Sequence, residues 1–167
     1  PDIPFLEMQI DSTSVDLGHL STSSTATGSA NFHVRAYLDS GFTVLTMSNP
    51  PSIPAGYSLA NMSSQGTAVT GTEQFGMNLV ANTSPASCGG NPSPQPDSTF
   101  AFGQAAPGYD TANQYKYVKG DVIANTISGK KGWGRTNFTI CYIANIKPLT
   151  PAGVYTMVHD LVAVPTY

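Results

Sequence analysis

Hydrophobic residues recur at every second position in several short stretches of the chain. The clearest case is residues 136–146, where one side carries Phe138, Ile140, Tyr142, Ala144 and Ile146. Side chains two positions apart in a strand point to the same face of the pleated backbone, so this pattern predicts a strand with a buried face. No stretch keeps a 3.6-residue period long enough to predict a helix, and we therefore expect an all-β chain.

The run after this strand is apolar on both of its faces. A turn marked by Pro148, Pro151 and Gly153 leads into residues 154–164. One face of the run carries Tyr155, Met157, Leu161 and Ala163, and the other carries Val154, Val158, Val162 and Val164. A strand with two apolar faces is expected to be covered on both sides. We therefore expect a sandwich strand that also meets a partner.

The N-terminal segment is a third alternating stretch. Leu6, Met8 and Ile10 alternate with polar residues and follow Phe5, which predicts a strand at residues 5–11. Because it is terminal and is followed by a Ser- and Thr-rich connector, this strand can pair with its own sheet or extend into a neighbouring copy. In the second arrangement Phe5, Leu6, Met8 and Ile10 form an assembly strand that adds to an open sheet edge.

The remaining alternation predicts several further strands separated by turns and loops. A strand at residues 30–38 is expected to turn tightly at residues 39–41 and return as residues 42–47. Other strands are predicted near residues 57–62, 71–82, 100–102, 115–118 and 121–124, with a hairpin tip at 127–135 and loops at 49–56 and 83–98. About nine to eleven short strands indicate one all-β domain over residues 1–167, an Ig-like or jelly-roll-like two-sheet β-sandwich. Residues 1–11 are its N-terminal strand and residues 12–167 its body.

Composition indicates an extracellular location. Charged residues make up only 10% of the chain, against about 25% in an average soluble protein, and Ser, Thr, Asn and Gln supply most of the polarity. Cys88 and Cys141 are the two cysteines. We expect them to form a disulfide in an oxidising compartment, although they can also be one buried and one exposed thiol.

The charges are unevenly distributed along the sequence. The chain has a net charge of −3, but residues 1–73 carry six acidic side chains and one arginine, and residues 116–147 carry six basic side chains and one aspartate. This distribution is either chance or a basis for head-to-tail self-association between acidic and basic patches. A head-to-tail contact that does not close into a ring produces a filament.

The sequence gives little support for catalysis, a metal or a cofactor. The three histidines, His19, His33 and His159, have no metal-ligand spacing with one another, with cysteines or with acids. No nucleophile-elbow or phosphate-loop motif is present, and Glu7 and Glu73 are the only glutamates. We expect neither an enzyme nor a bound cofactor. The negative net charge disfavours nucleic-acid binding, and no apolar window approaches the ~20 residues of a membrane span.

Two features indicate a saccharide partner or modification. Trp133 lies in a Gly- and Lys-rich stretch and, with nearby tyrosines, can form a stacking platform for a sugar, although the tyrosines can equally belong to the core. Sequons occur at Asn61, Asn82 and Asn137. These three asparagines are candidate glycosylation sites.

Three motifs resemble those of secreted prokaryotic surface proteins. They are Gly41-Phe-Thr-Val, Gly71-Thr-Glu-Gln-Phe-Gly-Met-Asn-Leu and Thr150-Pro-Ala-Gly-Val-Tyr-Thr. The final strand after a Thr-Pro-Ala-Gly-x-Tyr-Thr turn is similar to that of spore-coat-U-type, WxL-type and donor-strand pilin domains. The resemblance implies a surface structural role, and we expect a filament or pilus subunit that self-assembles by N-terminal strand donation. The alternative is a monomeric surface adhesin or carbohydrate-binding module.

Overall fold

Two antiparallel sheets make up the fold in a computed structural model that describes residues 3–167. In this part of the chain there are nine strands and one short 3-10 helix, Ser98–Phe100. The strands are β1 (Phe5–Ile10), β2 (Ala26–Leu38), β3 (Phe42–Thr46), β4 (Gln74–Asn78), β5 (Gly90–Gln95), β6 (Gly103–Ala105), β7 (Val122–Thr126), β8 (Gly132–Asn145) and β9 (Leu161–Pro165).

The sheet order confirms the predicted two-sheet β-sandwich. The first sheet has the order β1-β2-β8-β4, with β5 also pairing with β8, and the second has the order β6-β7-β3-β9. β8 is the strand that the sequence identified most clearly. It pairs with β2 along the whole of β2, so that Ala26 lies opposite Ala144 and Leu38 opposite Gly132. Its other edge is shared by β4 and β5, one after the other.

The core between the sheets is rich in aromatic residues. Phe32 of β2 stacks on Phe138 of β8, with ring centroids 5.0 Å apart. In the second sheet Phe42 meets Phe102 edge to face at 5.6 Å. Buried side chains such as these contribute about 1.5–3 kcal/mol each to the free energy of unfolding. The alternation in β2 and β8 therefore places its apolar side chains in the main core.

A second, smaller core covers half of the outer face of β8. It contains Cys141 and Ile143 of β8 together with Met62, Tyr115 and Cys88. Cys88 and Cys141 form a disulfide, which attaches the segment between β4 and β5 to the sheet. The C-terminal half of β8 is therefore buried on both faces, whereas its N-terminal half keeps an accessible outer face.

The structure corrects the two predicted hairpins. β2 and β3 lie in different sheets, and so do β7 and β8, so residues 39–41 and 127–131 connect the sheets, and residues 132–135 of the predicted tip belong to β8. At Gly41 a Cβ atom would lie 2.7 Å from the side-chain oxygen of Thr126, and the same oxygen accepts a hydrogen bond from Phe42 N. Gly41 is thus needed for close packing at a crossing between sheets, where the sequence suggested a tight turn.

Several predicted boundaries also change. The predicted loop at 83–98 contains β5, in which Pro92 and Pro94 point inward in alternation with exposed residues. β5 pairs on one side only, and an edge strand tolerates proline because the missing N–H is not needed there. The short strands predicted at 57–62 and 115–118 consist of isolated bridges.

The valine face of the C-terminal run is exposed. Tyr155, Met157, Leu161 and Ala163 pack against the core, as the alternation predicts. On the opposite face Val158 is 81% and Val162 43% exposed. The sequence predicted that this second face is covered, but no segment within residues 3–167 covers it.

A chain of hydrogen bonds links the two sheets beside the core. The His159 ring lies between two hydroxyl groups. Its Nδ1 is 2.6 Å from Tyr142 Oη of β8, and its Nε2 is 2.7 Å from Thr46 Oγ1 of β3. Thr46 donates its hydroxyl hydrogen to Tyr117 Oη, which in turn donates to the carbonyl of Ser48. His159 Nε2 must therefore donate to Thr46, and Nδ1 accepts from Tyr142. Burial lowers the pKa of His159 to about 4, despite the opposing charge of Asp160.

Removing the disulfide should destabilise the fold. The two cysteines are separated by 53 residues, and a bridge that closes such a loop contributes about 4 kcal/mol by loop entropy. We expect the double variant Cys88→Ala/Cys141→Ala to lose about this amount in chemical denaturation. Wild-type protein with the disulfide reduced is the matched control. A loss below about 1 kcal/mol would contradict this prediction.

The His159 network should make stability fall in mild acid. An unfolded histidine titrates near pH 6.5, whereas the pKa of folded His159 is about 4. Between these two pH values the unfolded chain binds a proton that folded His159 does not. The free energy of unfolding therefore rises with pH in this range. Lowering the pH from about 7.5 to about 5.5 should cost about 1 kcal/mol through this residue. Urea denaturation of wild type and His159→Gln at both pH values measures it. An equal pH dependence in the two proteins would show that His159 is not responsible.

Candidate functional site

Polar and aromatic side chains form rows across the uncovered half of the first sheet's outer face. The register of β1, β2, β8 and β5 places outward-pointing residues side by side on neighbouring strands. One row is Phe5, Tyr37 and Trp133; the next is Glu7, Arg35, Arg135 and Gln95; the third is Gln9, His33, Asn137 and Ser93. Cross-strand neighbours on one face interact directly.

The first row is aromatic. Tyr37 and Trp133 stack with ring centroids 5.3 Å apart and planes 8° from parallel. Lys131 Nζ lies over the Trp133 ring, 4.7 Å from its centroid, and also pairs with Asp39 at 3.0 Å. Trp133 is 38% exposed. A ligand can therefore reach the edge of Trp133, but its ring already contacts a tyrosine and a cation.

The second row contains both arginines of the chain. Arg35 Nη2 donates to Glu7 Oε2 at 2.6 Å, and the Arg35 guanidinium lies 5.3 Å from the Phe5 ring centroid. The hydrogen bond from Arg35 and its positive charge hold the pKa of Glu7 below its ordinary value. Arg135 Nε donates to Asn137 Oδ1 at 2.8 Å. Arg35 is thus paired with a carboxylate, and Arg135 with a neutral amide.

A groove of about 700 Å³ lies along these rows. Its lining includes Phe5 and Tyr37 of the aromatic row and Arg35, Gln95, Arg135 and Asn137 of the polar rows. Ala36 and Gly134 lie between the rows and leave the groove open. A Cβ at Gly134 would lie 2.6 Å from Phe100 Cβ, so only glycine fits here. The volume is in the range of small-molecule sites.

The groove offers hydrogen-bond donors that the fold does not use. Three side chains that line the groove have donors without a hydrogen-bond partner among residues 3–167. The donors are the two Nη groups of Arg135, the side-chain amide of Gln95 and Nδ2 of Asn137. An aromatic wall faces these donors across the groove. The arrangement can bind a molecule with an apolar face and polar edges.

The structure gives other acidic and histidine side chains structural roles. Burial alone would raise the pKa of Glu73, but hydrogen bonds from Thr150, Tyr57 and Ala60 N outweigh burial and lower it. Glu73 thereby connects three loop segments. His33 is buried and contacts Asp11 at 2.9 Å. Within the described residues no group of three or more His, Cys, Asp or Glu side chains could hold a metal ion.

The three sequons differ in accessibility. Asn82 is 4% exposed, and its Nδ2 donates to Asn78 Oδ1 and to the carbonyls of Val80 and Cys88. A glycan on this nitrogen would break these bonds, so Asn82 is unsuitable in the folded chain. Asn61 is exposed but donates to the carbonyl of Tyr117. Asn137 lines the groove.

The N-terminal strand lies in its own sheet. β1 pairs antiparallel with β2, with Phe5 opposite Tyr37 and Ile10 opposite Phe32. Leu6 and Met8 are half-buried against the core. Phe5 and Ile10 remain exposed at 40% and 47%. β1 is an edge strand, because β2 is its only neighbour in the sheet order.

The opposite charges of the sequence meet within the chain. Lys131 of the basic segment pairs with Asp39 of the acidic segment, and Arg135 lies one strand from Arg35 and its partner Glu7. The basic and acidic charges that are separated along the sequence are therefore partly paired at this end of the sandwich.

No protein-family model, curated protein or solved structure matches the chain. No helix within residues 3–167 is long and apolar enough to cross a membrane.

Sequence reasoning singled out Trp133, which stacks on Tyr37 but lines a neighbouring hollow with Phe100 and Lys131, and it missed the groove itself. The alternation in residues 30–38 places Arg35 and Tyr37 on the polar face of their strand. Only the pairing of β2 with β8 shows that this face continues into Trp133 and Arg135. That pairing joins residues about a hundred positions apart in sequence, which local patterns do not reveal.

Proposed function

We propose that this protein is a non-catalytic extracellular module that binds a saccharide in the groove. The observation that supports this proposal most strongly is the pairing of an aromatic wall with unused hydrogen-bond donors on an open sheet face. The surrounding sheet is a rigid support for these side chains, which suits a preformed binding site.

The chemistry of a sugar ring fits both the aromatic residues and the hydrogen-bond donors that line the groove. A pyranose has a face of C–H groups, which packs on aromatic rings, and an edge of hydroxyls, which bind amide and guanidinium donors. Rows of outward-pointing residues two positions apart on a strand are separated by about 7 Å. A single ring lying between Tyr37 and Arg135 can contact both.

An extracellular location agrees with the disulfide and with the low content of charged residues. Disulfides persist in oxidising compartments and are rare where thiols are kept reduced. The Cys88–Cys141 bridge also holds the second core beside the groove.

A filament subunit that assembles by exchange of β1 is the second candidate. β1 is an edge strand and is followed by residues 11–25, which form no strand. Fully extended, such a segment spans about 50 Å, so it can carry β1 well beyond its own sheet. The exposed valine face around Val158 and Val162 offers further apolar surface for a contact between copies.

Substitutions in the groove should remove saccharide binding. On a glycan array we expect wild type to bind a defined set of glycans and the double variant Phe5→Ala/Tyr37→Ala, which removes the aromatic lining of the groove, to lose at least about tenfold in affinity, since aromatic contacts contribute about 1 kcal/mol or more each. Val162→Ala/Val164→Ala, on the outer face of the other sheet, is the matched control. A wild-type protein that binds no glycan would refute the proposed function.

Deleting the N-terminal strand should show whether the protein forms filaments by exchange of β1. If β1 is exchanged between copies, the intact chain forms filaments in electron microscopy and large species in size-exclusion chromatography. A chain without residues 1–11 should then remain monomeric and should bind a synthetic peptide of residues 1–11. Deletion of residues 1–4 keeps β1 and is the control. An intact chain that stays monomeric at high concentration would exclude self-polymerisation.

A further inference from the structure

Arg135 has an unused binding edge that faces the groove. Its Nε donates to Asn137 Oδ1 at 2.8 Å, which fixes the plane of the guanidinium from one side. Within the described residues its two Nη groups have no hydrogen-bond partner. The residue lies in the row between Arg35 and Gln95. The guanidinium is therefore held in place with two nitrogens available to a ligand.

Arg135 forms no ion pair among residues 3–167, although Glu7 is near enough to feel its charge. Arg35, on the adjacent strand, forms an ion pair with Glu7 at 2.6 Å, and Lys131 forms one with Asp39 at 3.0 Å. Among residues 3–167 no carboxylate lies within ion-pair distance of Arg135. The groove thus carries one surplus positive charge at a defined position.

A planar guanidinium has a preferred partner. Two parallel N–H groups match the two oxygens of a carboxylate, and such charge-assisted pairs are about twice as strong as hydrogen bonds between neutral groups. A hydroxyl accepts from only one of these donors and carries no opposite charge, so it gains less from the guanidinium than a carboxylate does. Gln95 and Asn137, on either side, supply neutral donors for hydroxyls.

From this geometry we propose that the saccharide bound in the groove is acidic, with a sugar carboxylate bound by Arg135. The inference rests on the proposed saccharide-binding function and extends it to a substrate class, the uronic acids and related carboxylated sugars. The sugar ring lies against the aromatic wall at Tyr37, and the carboxylate points to Arg135.

The test compares acidic oligosaccharides with neutral counterparts. The probes are short oligomers of galacturonate, glucuronate and mannuronate, each paired with the same oligomer after reduction of its carboxyl groups to hydroxymethyl groups. Affinities are measured by calorimetry for wild type, Arg135→Gln, Arg135→Lys and the exposed control Lys147→Gln, which makes the same change of charge at the other end of β8. Thermal unfolding confirms that each variant is folded.

We expect wild type to prefer the acidic member of at least one pair by about tenfold to a hundredfold, as for a hydrogen bond to a charged group. Arg135→Gln should lose this preference, with a much larger loss of affinity for the acidic member than for the neutral one. Arg135→Lys should keep part of it, because lysine retains the charge but not the planar pair of donors. Lys147→Gln should behave as wild type.

The outcomes separate this inference from the proposed function. Equal affinity for acidic and neutral members overturns the inference while supporting saccharide binding. A preference that survives in Arg135→Gln also overturns it, since another group must then bind the carboxylate. Absence of binding to every probe, and to every glycan on an array, refutes both.

Discussion

The pairing of β8 with β2 is the contact on which the rest of the structure depends. It extends over the whole of β2 and places β8 between β2 on one side and β4 and β5 on the other. The inner face of this pair forms half of the core. The outer face is divided, because loops held by the Cys88–Cys141 disulfide cover the C-terminal half of β8 and leave its N-terminal half open. The groove exists because this cover stops midway along the strand.

Most buried polar side chains of the described residues bond to other groups of the chain, and Asn145 Oδ1 is the exception. Asn78 and Asn82 exchange two amide hydrogen bonds of 2.7 and 2.8 Å, and His159 connects Tyr142 in one sheet with Thr46 in the other. A buried polar group without a partner costs about 1–3 kcal/mol, so such contacts specify how loops and sheets meet. In the groove, by contrast, donors of Arg135 and Gln95 remain available. These donors, next to the aromatic residues of the groove, are the physical basis for proposing a ligand.

The two proposed functions share one structural element. In β1, Phe5 lines the groove and Glu7 forms an ion pair with Arg35. If β1 were exchanged between copies, each groove would be built from two chains, and saccharide binding would depend on assembly. If β1 stays in its own sheet, the groove is complete in a monomer. Binding and filament formation are thus compatible, and the position of β1 decides how they are coupled.

The alternation of apolar residues was sufficient to predict an all-β sandwich and the strands around Leu6, Val34 and Ile140, because a strand with one buried face imposes a period of two. The disulfide was expected from the presence of two cysteines in a chain of extracellular composition. It could not show that residues 39–41 cross between sheets, since a tight turn and a crossing use the same small residues. It also missed β5, where proline is tolerated only because the strand lies at an edge. Trp133 was recognisable from its type and surroundings alone. The groove depends on the register between β2 and β8, which is set by long-range packing. Only the tertiary structure placed Tyr37 beside Trp133 and left Arg135 without an ion-pair partner among residues 3–167.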